Sequence, residues 1–132
     1  MVDSSKRAEN SILVVEDEEQ VRTLVVRLLE KRGYRVLQAE NGRRALDIAR
    51  PQINDISLVI TDIVMPEMGG APLVAEMRAL NPNLRFLCMT GYSKEEVLSG
   101  DGLDGAAFIE KPFTPNDLLD IIEEILASNN ST

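Results

Sequence analysis

Short apolar runs without polar alternation recur along the chain, and each is followed by a polar turn. Such runs predict strands that are buried on both faces, as in a parallel sheet covered by helices. The second run is the weakest, and we expect it at an edge of the sheet. The predicted strands are 12–15, 34–39, 58–60, 85–89 and 106–109.

The segments between these runs carry apolar residues at helical spacing, which predicts amphipathic helices. Gly33 ends the first helix, Asn41 opens the second, and Thr114 caps the last, with Pro115 at its first position. A short fourth helix is predicted around Lys94 to Leu98. The predicted inward positions of the other four are Val21, Leu24, Val25, Leu28 and Leu29; Ala45, Leu46 and Ala49; Leu73, Val74, Met77 and Leu80; and Leu118, Ile121, Ile122, Ile125 and Leu126.

Strands that alternate with helices predict a single α/β domain with right-handed crossovers. The expected architecture is flavodoxin-like, a doubly wound five-stranded parallel sheet of order 2-1-3-4-5 with five helices. We expect the domain to span residues 11–127. Residues 1–10 are polar without periodicity and are interpreted as a disordered lead-in or a linker, and residues 128–132 as a polar tail.

Composition excludes several classes of function. The net charge of −8 argues against binding to the phosphate backbone of nucleic acids, which needs a basic face. No stretch is long and apolar enough to span a bilayer, and the start lacks the apolar region of a signal peptide. The single cysteine, Cys88, cannot form an internal disulfide. These features predict a cytoplasmic protein without membrane contact or direct nucleic-acid binding.

Polar side chains follow four of the predicted strands. Glu16 and Asp17 follow the first, Asp62 ends the third, Thr90 ends the fourth and Lys111 follows the fifth. Because the carboxyl ends of parallel strands meet at one edge of a sheet, we expect these residues in one crevice. Oxygen ligands without histidine or thiolate favour a hard cation such as Mg²⁺. A lysine and a hydroxyl beside such a cluster favour a phosphoryl group.

Each of these residues also has a purely structural interpretation. Asp62 could simply cap a loop. The acids after the first strand could favour the positive end of the next helix. Lys111 could be present only to neutralise the acids. The agreement of all four strand ends favours a functional site over these alternatives.

This set of residues resembles the receiver domain of two-component response regulators. The resemblance covers about residues 11–127. Each motif is weak alone, and the set is specific because it keeps the order and spacing of the family. The matching segments are Glu16-Asp17, Asp62 followed by Met65-Pro66 and Gly69-Gly70, Thr90, and Lys111-Pro112-Phe113.

The resemblance implies a role for each residue of the acidic cluster. Asp62 would be the nucleophile that accepts phosphate from a histidine of a sensor histidine kinase or a histidine phosphotransfer protein. Asp17, the Asp62 carboxylate and the main-chain carbonyl of Val64 would bind Mg²⁺, for which Mn²⁺ could substitute. Glu16 would act on the metal largely through water.

The resemblance also implies a switch. Thr90 would hydrogen-bond to the phosphoryl group and Lys111 would pair with it. Phe108 would be the aromatic residue that moves when Thr90 moves. The Lys111–Pro112 peptide bond is expected to be cis. The chain would act as a monomer or a weak, phosphorylation-dependent dimer.

The sequence departs from the usual pattern of the family at three places. Glu16 stands where aspartate is commoner, and Val64 stands where a polar residue is commoner. Thr90 is followed by Gly91 and Tyr92, and the fourth helix is short. With this turn and this short helix, the chain resembles receivers attached to hybrid histidine kinases.

Two other functions remain open from the sequence. One is an α/β phosphatase with Asp62 as nucleophile, but such an enzyme needs a second acid two residues later, where this chain has Val64. The other is a pseudo-receiver that binds partners without being phosphorylated. The complete set of acid, threonine and lysine residues disfavours this second alternative.

Overall fold

The computed structural model describes residues 11–65, 68–91, 103 and 105–128. In it the five predicted strands form one parallel sheet of order β2-β1-β3-β4-β5, as expected. The expected edge position of β2 is confirmed, because β2 pairs with β1 alone. The strands are β1 (Ser11–Val15), β2 (Val36–Ala39), β3 (Ile56–Asp62), β4 (Arg85–Thr90) and β5 (Ala107–Glu110).

Four α-helices lie within the described residues. The short helix predicted around Lys94 to Leu98 falls outside them. Two predicted caps are confirmed, since Asn41 accepts a hydrogen bond from the Arg44 N–H at 2.9 Å and Thr114 accepts one from the Asp117 N–H at 3.1 Å. The helices are α1 (Glu19–Lys31), α2 (Gly42–Ala49), α3 (Gly70–Leu80) and α4 (Pro115–Ser128).

A 3₁₀ segment, Arg50–Asp55, joins α2 to β3 and was not predicted. Pro51 lies in the first turn of this segment, and a proline after a helix usually indicates that the helix ends. Proline lacks an N–H and has a fixed φ, but both properties suit the first turn of a new helical segment. The chain therefore continues in a tighter helical turn where the sequence indicated a break.

Both faces of the sheet are covered, which explains the apolar runs without polar alternation. Neighbouring residues of β1 face opposite sides. Leu13 and Val15 pack in the core cluster under α2 and α3. Ile12 and Val14 pack in the cluster under α1 and α4. A strand in this setting gains from an apolar residue at every position.

The predicted set of inward-facing residues on α1 was wrong at two positions. Leu24 is 49% exposed, while Val26, which was not predicted to face inward, is 7% exposed. The side chains that reach the sheet are Val25, Val26 and Leu29. Leu24 precedes Val26 by two residues, and two residues turn an α-helix through more than half a circle, so Leu24 points away.

Two further burial predictions and one strand boundary differ from the structure. Leu80 was predicted to face inward but is 42% exposed, because it is the last residue of α3. In α4, Leu119 is buried and was not in the predicted stripe. β2 begins at Val36 rather than Tyr34, since the N–H of Tyr34 bonds to the Leu29 carbonyl at the end of α1.

Cys88 is fully buried in β4, and this burial raises the pKa of its thiol to about 12. A buried thiol with a raised pKa is unreactive, so Cys88 has a structural role. No helix in the described part of the chain is both long enough and apolar enough to cross a bilayer.

We predict that Leu29→Ala lowers the free energy of unfolding by about 3 kcal/mol, because it removes a fully buried side chain and leaves a cavity. The matched control is Leu24→Ala, the same substitution on the same helix at a half-exposed position, with an expected loss below about 1 kcal/mol. Urea denaturation followed by circular dichroism measures both. Equal losses would contradict the orientation of α1.

Candidate functional site

The ends of β1 and β3 bring three carboxylates together. Val15 of β1 lies opposite Thr61 of β3, so Glu16 and Asp17 follow β1 at the level where β3 reaches Asp62. One oxygen atom from each of Glu16, Asp17 and Asp62 lies within 4.8 Å of the others. The convergence predicted from the strand ends is therefore present in the structure.

Glu16 is fully buried and is held through every polar group it carries. Its N–H donates to the Ala39 carbonyl at 3.1 Å, which ties it to β2. Its Oε2 accepts from the Glu18 N–H at 3.0 Å, and its Oε1 accepts from Lys111 Nζ at 3.1 Å. Burial raises the pKa of Glu16, and the hydrogen bond from Glu18 opposes that rise.

Lys111 connects two of the acids. Its Nζ donates to Glu16 Oε1 and to Asp62 Oδ2, both at 3.1 Å. Burial by itself lowers the pKa of Lys111, but its hydrogen bonds to these carboxylates and their charges outweigh burial, and the pKa is raised. The ammonium group therefore stays charged and partly neutralises the cluster.

The main chain at Lys111 is also fixed. The Lys111 N–H donates to the Thr90 carbonyl at 2.7 Å, so the residue after β5 is bound to the end of β4. The Lys111–Pro112 peptide bond is cis, as expected. The hydrogen bond to Thr90 and the two contacts of Nζ place the lysine side chain across the carboxyl ends of β4 and β3 toward Glu16.

Asp62 lines a cavity of about 380 Å³. Its side chain is 12% exposed. Its Oδ1 accepts from the Ile63 N–H at 2.8 Å and its Oδ2 accepts from Lys111. Thr90 is 2% exposed and Val64 is 67% exposed. The cavity is lined by Asp62, Ile63, Val64, Thr90, Gly91 and Lys111.

The loop after β3 is held by main-chain hydrogen bonds at glycines. The Gly70 N–H donates to the Ile63 carbonyl at 2.8 Å, and the Gly42 N–H donates to the Met68 carbonyl at 3.1 Å. A Cβ atom at Gly70 would lie 2.7 Å from the Asp62 carbonyl, and one at Gly42 would lie 2.6 Å from the Met68 carbonyl. Glycine is required at both positions because another main-chain segment lies against them.

Phe108 does not line the cavity at Asp62. It is in β5, opposite Cys88 of β4, and it packs against the core cluster under α2 and α3. On its outer side it lines a second cavity, of about 430 Å³, with Phe113 and Ile121 among the other lining residues. Phe108 thus lies between the core and an open space.

The structure adds Arg22 to the residues expected near the site. Arg22 lies in the first two turns of α1, and its Nη1 donates to the Glu16 carbonyl at 2.8 Å. An arginine on the polar side of a helix carries no sequence signal for such a contact, because most such side chains face solvent. The contact between Arg22 and Glu16 is therefore visible only in the structure.

The donor set of the acidic cluster fits a hard divalent cation. Three carboxylates lie within reach of one ion, the chain has no histidine, and its single thiol is buried with a raised pKa. Carboxylate and carbonyl oxygens are the ligands that Mg²⁺ prefers. Lys111 neutralises part of the charge, and the exposed side chain of Asp17 is accessible to an ion from solvent.

Comparisons with known proteins agree with this geometry. The family model of the response regulator receiver domain matches residues 12–123. The chain is 36% identical to the sensor kinase CckA of Brucella abortus over 117 residues, which cover 88% of this chain and 12% of that kinase. It is 37% identical to the response regulator receiver protein CpdR of the same organism over 116 residues, covering 87% of this chain and 95% of CpdR.

A solved structure extends the comparison to three dimensions. It is the response regulator protein TrrA of Thermotoga maritima in complex with Mg²⁺ and BeF, with a TM-score of 0.76 and 30% sequence identity, covering 88% of this chain and 98% of that one. With the sheet order, the converging strand ends and the family match, this chain belongs to the response regulator receiver domain family.

Proposed function

We propose that the chain is a phosphoacceptor module in two-component signalling and that Asp62 is the acceptor. The observation that carries this proposal is the position of the Asp62 carboxylate. It lines a cavity, in contact with the ammonium of Lys111 and next to two further carboxylates. A nucleophilic carboxylate beside a fixed positive charge is the arrangement that phosphoryl transfer needs.

In the transfer step, a carboxylate oxygen of Asp62 attacks the phosphorus of a phosphohistidine. A P–O bond forms and the P–N bond to the histidine breaks, so the phosphoryl group moves without net hydrolysis. Asp62 Oδ1 is held by the Ile63 N–H, and this hydrogen bond orients the carboxylate. Lys111 lies at 3.1 Å from Oδ2 and provides positive charge for the phosphoryl oxygens.

Asp17, Asp62 and the main-chain carbonyl of Val64 would hold Mg²⁺, with Glu16 acting through water. When bound, Mg²⁺ supplies positive charge that offsets the repulsion between the acids and the incoming phosphoryl group. The solved complex of TrrA with Mg²⁺ and BeF supports a Mg²⁺ site at the acidic cluster. Mn²⁺, with similar oxygen ligands, is expected to substitute.

Thr90 and Phe108 are proposed to carry the response. Thr90 lines the cavity and would bond to the phosphoryl group through its hydroxyl. Phe108 has core packing on one side and the 430 Å³ cavity on the other, so it has space to change rotamer. Phosphorylation would shift the population toward the state in which Thr90 is drawn inward and Phe108 follows.

The proposed partner is a sensor histidine kinase or a histidine phosphotransfer protein. The match to CckA supports the predicted link with a hybrid kinase, and the chain spans 12% of that protein. We propose that the module works in the cytoplasm as a monomer or a weak, phosphorylation-dependent dimer, without direct contact to nucleic acid.

The composition of the cavity argues against a turnover phosphatase. Asp62 is the sole carboxylate among its lining residues within the described part of the chain. Glu16 is fully buried and paired with Lys111, so it cannot reach a leaving group. Asp17 does not line the cavity, and it is assigned to the metal. A second acid is the group that such an enzyme uses to protonate the leaving group.

We predict that acetyl phosphate adds one phosphoryl group to the protein in the presence of Mg²⁺ and none in the presence of EDTA. Asp62→Asn should abolish the addition, because an amide oxygen is a poor nucleophile. Asp47→Asn, an exposed aspartate on α2, is the matched control and should be labelled like the wild type. Intact mass spectrometry gives the result, and a labelled Asp62→Asn protein would rule out Asp62 as the acceptor.

Removal of the Asp17 carboxylate should weaken Mg²⁺ binding about tenfold or more, because it is a proposed direct ligand. The melting temperature without metal should hold or rise, because one of three mutually repelling charges is gone. The variant is Asp17→Asn, and Glu18→Gln, an exposed acid in the same loop, is the control with nearly unchanged affinity. Calorimetric titration with MgCl₂ measures both. A fall in melting temperature without loss of affinity would indicate a purely structural role.

The phosphorylated state should be long-lived. Val64 is 67% exposed at the cavity, and its side chain has no polar atom to orient a water molecule toward the phosphorus. We expect Val64→Asn to speed loss of the phosphoryl group by about 10²-fold or less, and Val64→Ile to leave the rate nearly unchanged. The measurement is the decay of phosphorylated protein after the donor is removed. Decay of the wild type within seconds would refute this explanation, as would equal rates for all three proteins.

A further inference from the structure

We propose that Arg22 is a positioning residue for the metal site, and that it orients Asp17 through the main-chain carbonyl of Glu16. This inference rests on the proposed function, in which Asp17 is a direct ligand of Mg²⁺. Arg22 itself does not belong to the acidic cluster. It acts on the peptide group that joins two of the cluster's members.

The guanidinium of Arg22 joins three parts of the fold. Arg22 belongs to α1, and its main-chain N–H donates to the Glu18 carbonyl at 2.9 Å. Its Nη1 donates to the Glu16 carbonyl at 2.8 Å. Its Nε donates to Gln38 Oε1 of β2 at 3.3 Å. The planar guanidinium, with donors in a fixed geometry, therefore connects the helix, the loop after β1 and the edge strand.

The Glu16 carbonyl matters because of where it lies in the chain. It belongs to the peptide group between Glu16 and Asp17, and a peptide group is planar. A hydrogen bond that fixes the direction of this carbonyl also fixes the direction in which the Asp17 Cα leaves the strand end. The orientation of that peptide group then limits where the Asp17 carboxylate can point.

The other contacts of Glu16 do not act on this peptide group. Its N–H is bonded to Ala39, and its carboxylate is bonded to Lys111 and to the Glu18 N–H. Those contacts hold Glu16 on its strand side and through its side chain. Among the hydrogen bonds of Glu16 in the described part of the chain, the one from Arg22 acts on the peptide bond to Asp17.

Electrostatics alone predicts the opposite effect, which makes the inference testable. A positive charge near a cation site repels the cation, so removal of Arg22 should strengthen Mg²⁺ binding if only charge matters. If Arg22 acts by positioning, its removal should weaken binding, because Asp17 loses its orientation. Partners that orient metal ligands typically contribute 10- to 100-fold to affinity.

The test compares four proteins: wild type, Arg22→Gln, Arg22→Lys and Arg27→Gln. Arg27 is exposed on the same helix, so Arg27→Gln gives the same change of charge without the contact to Glu16. Affinity is measured by calorimetric titration with MgCl₂ and by the signal of free Mn²⁺ in electron paramagnetic resonance. Thermal unfolding in EDTA reports the stability of each metal-free protein.

We expect Arg22→Gln to bind Mg²⁺ about tenfold more weakly than wild type. Arg22→Lys should lie between the two, since lysine keeps the charge and one donor but loses the planar pair of donors. Arg27→Gln should bind equally or slightly more tightly. If Arg22→Gln fails to fold, Arg22→Lys against Arg27→Lys gives the same comparison at unchanged net charge.

Equal or tighter Mg²⁺ binding by Arg22→Gln would overturn this inference and leave the proposed function intact. A lower melting temperature with unchanged affinity would also overturn it, because Arg22 would then only stabilise the fold. A wild-type protein that binds neither Mg²⁺ nor Mn²⁺ would overturn both the inference and the proposed function.

Discussion

One ammonium group holds the carboxyl ends of three strands in a fixed relation. Lys111 follows β5, and it bonds to Asp62 at the end of β3 and to Glu16 after β1. Glu16 is fully buried and Asp62 nearly so. Removal of the ammonium would leave two adjacent buried carboxylates without compensation, which is strongly destabilising. The position of the end of β5 and the charge state of the acidic cluster therefore depend on each other.

This dependence gives the proposed switch a physical basis. A phosphoryl group on Asp62 would compete for the ammonium that now bonds to Glu16. The same residue, through its main-chain N–H, is bonded to Thr90, and β5 carries Phe108. A change in the bonding of Lys111 would thus act on the segment that carries the two residues proposed to respond. The acidic cluster and the ends of β4 and β5 are both bonded to one residue, Lys111.

The sequence was sufficient to predict the sheet order and most of the site. Parallel strands place their carboxyl ends at one edge, so locating the strands was enough to predict that Glu16, Asp17 and Asp62 converge. The predicted roles of these residues came from the resemblance to the receiver family. The convergence itself followed from the apolar runs, because a strand with two buried faces carries apolar residues at successive positions.

The features that the sequence could not predict depend on how the helices are oriented against the sheet. Leu24 and Val26 are both apolar residues of α1, and the orientation of the helix on the sheet decides which one is buried. The contact of Arg22 with a main-chain carbonyl depends on the same orientation. Pro51 permits either the end of a helix or the start of a tighter one. The local sequence pattern leaves these alternatives open, because packing between segments that are distant in the sequence decides between them.

The loop after β3 is held at Ile63 and at Met68 by the N–H groups of two glycines. Both anchors involve main-chain atoms, and neither includes the exposed side chain of Val64. The residue at that position can therefore change during evolution without loss of either anchor. With the role proposed for Val64, signal duration could then be selected independently of fold stability, and one side chain would set a fast or a slow timer on the same scaffold.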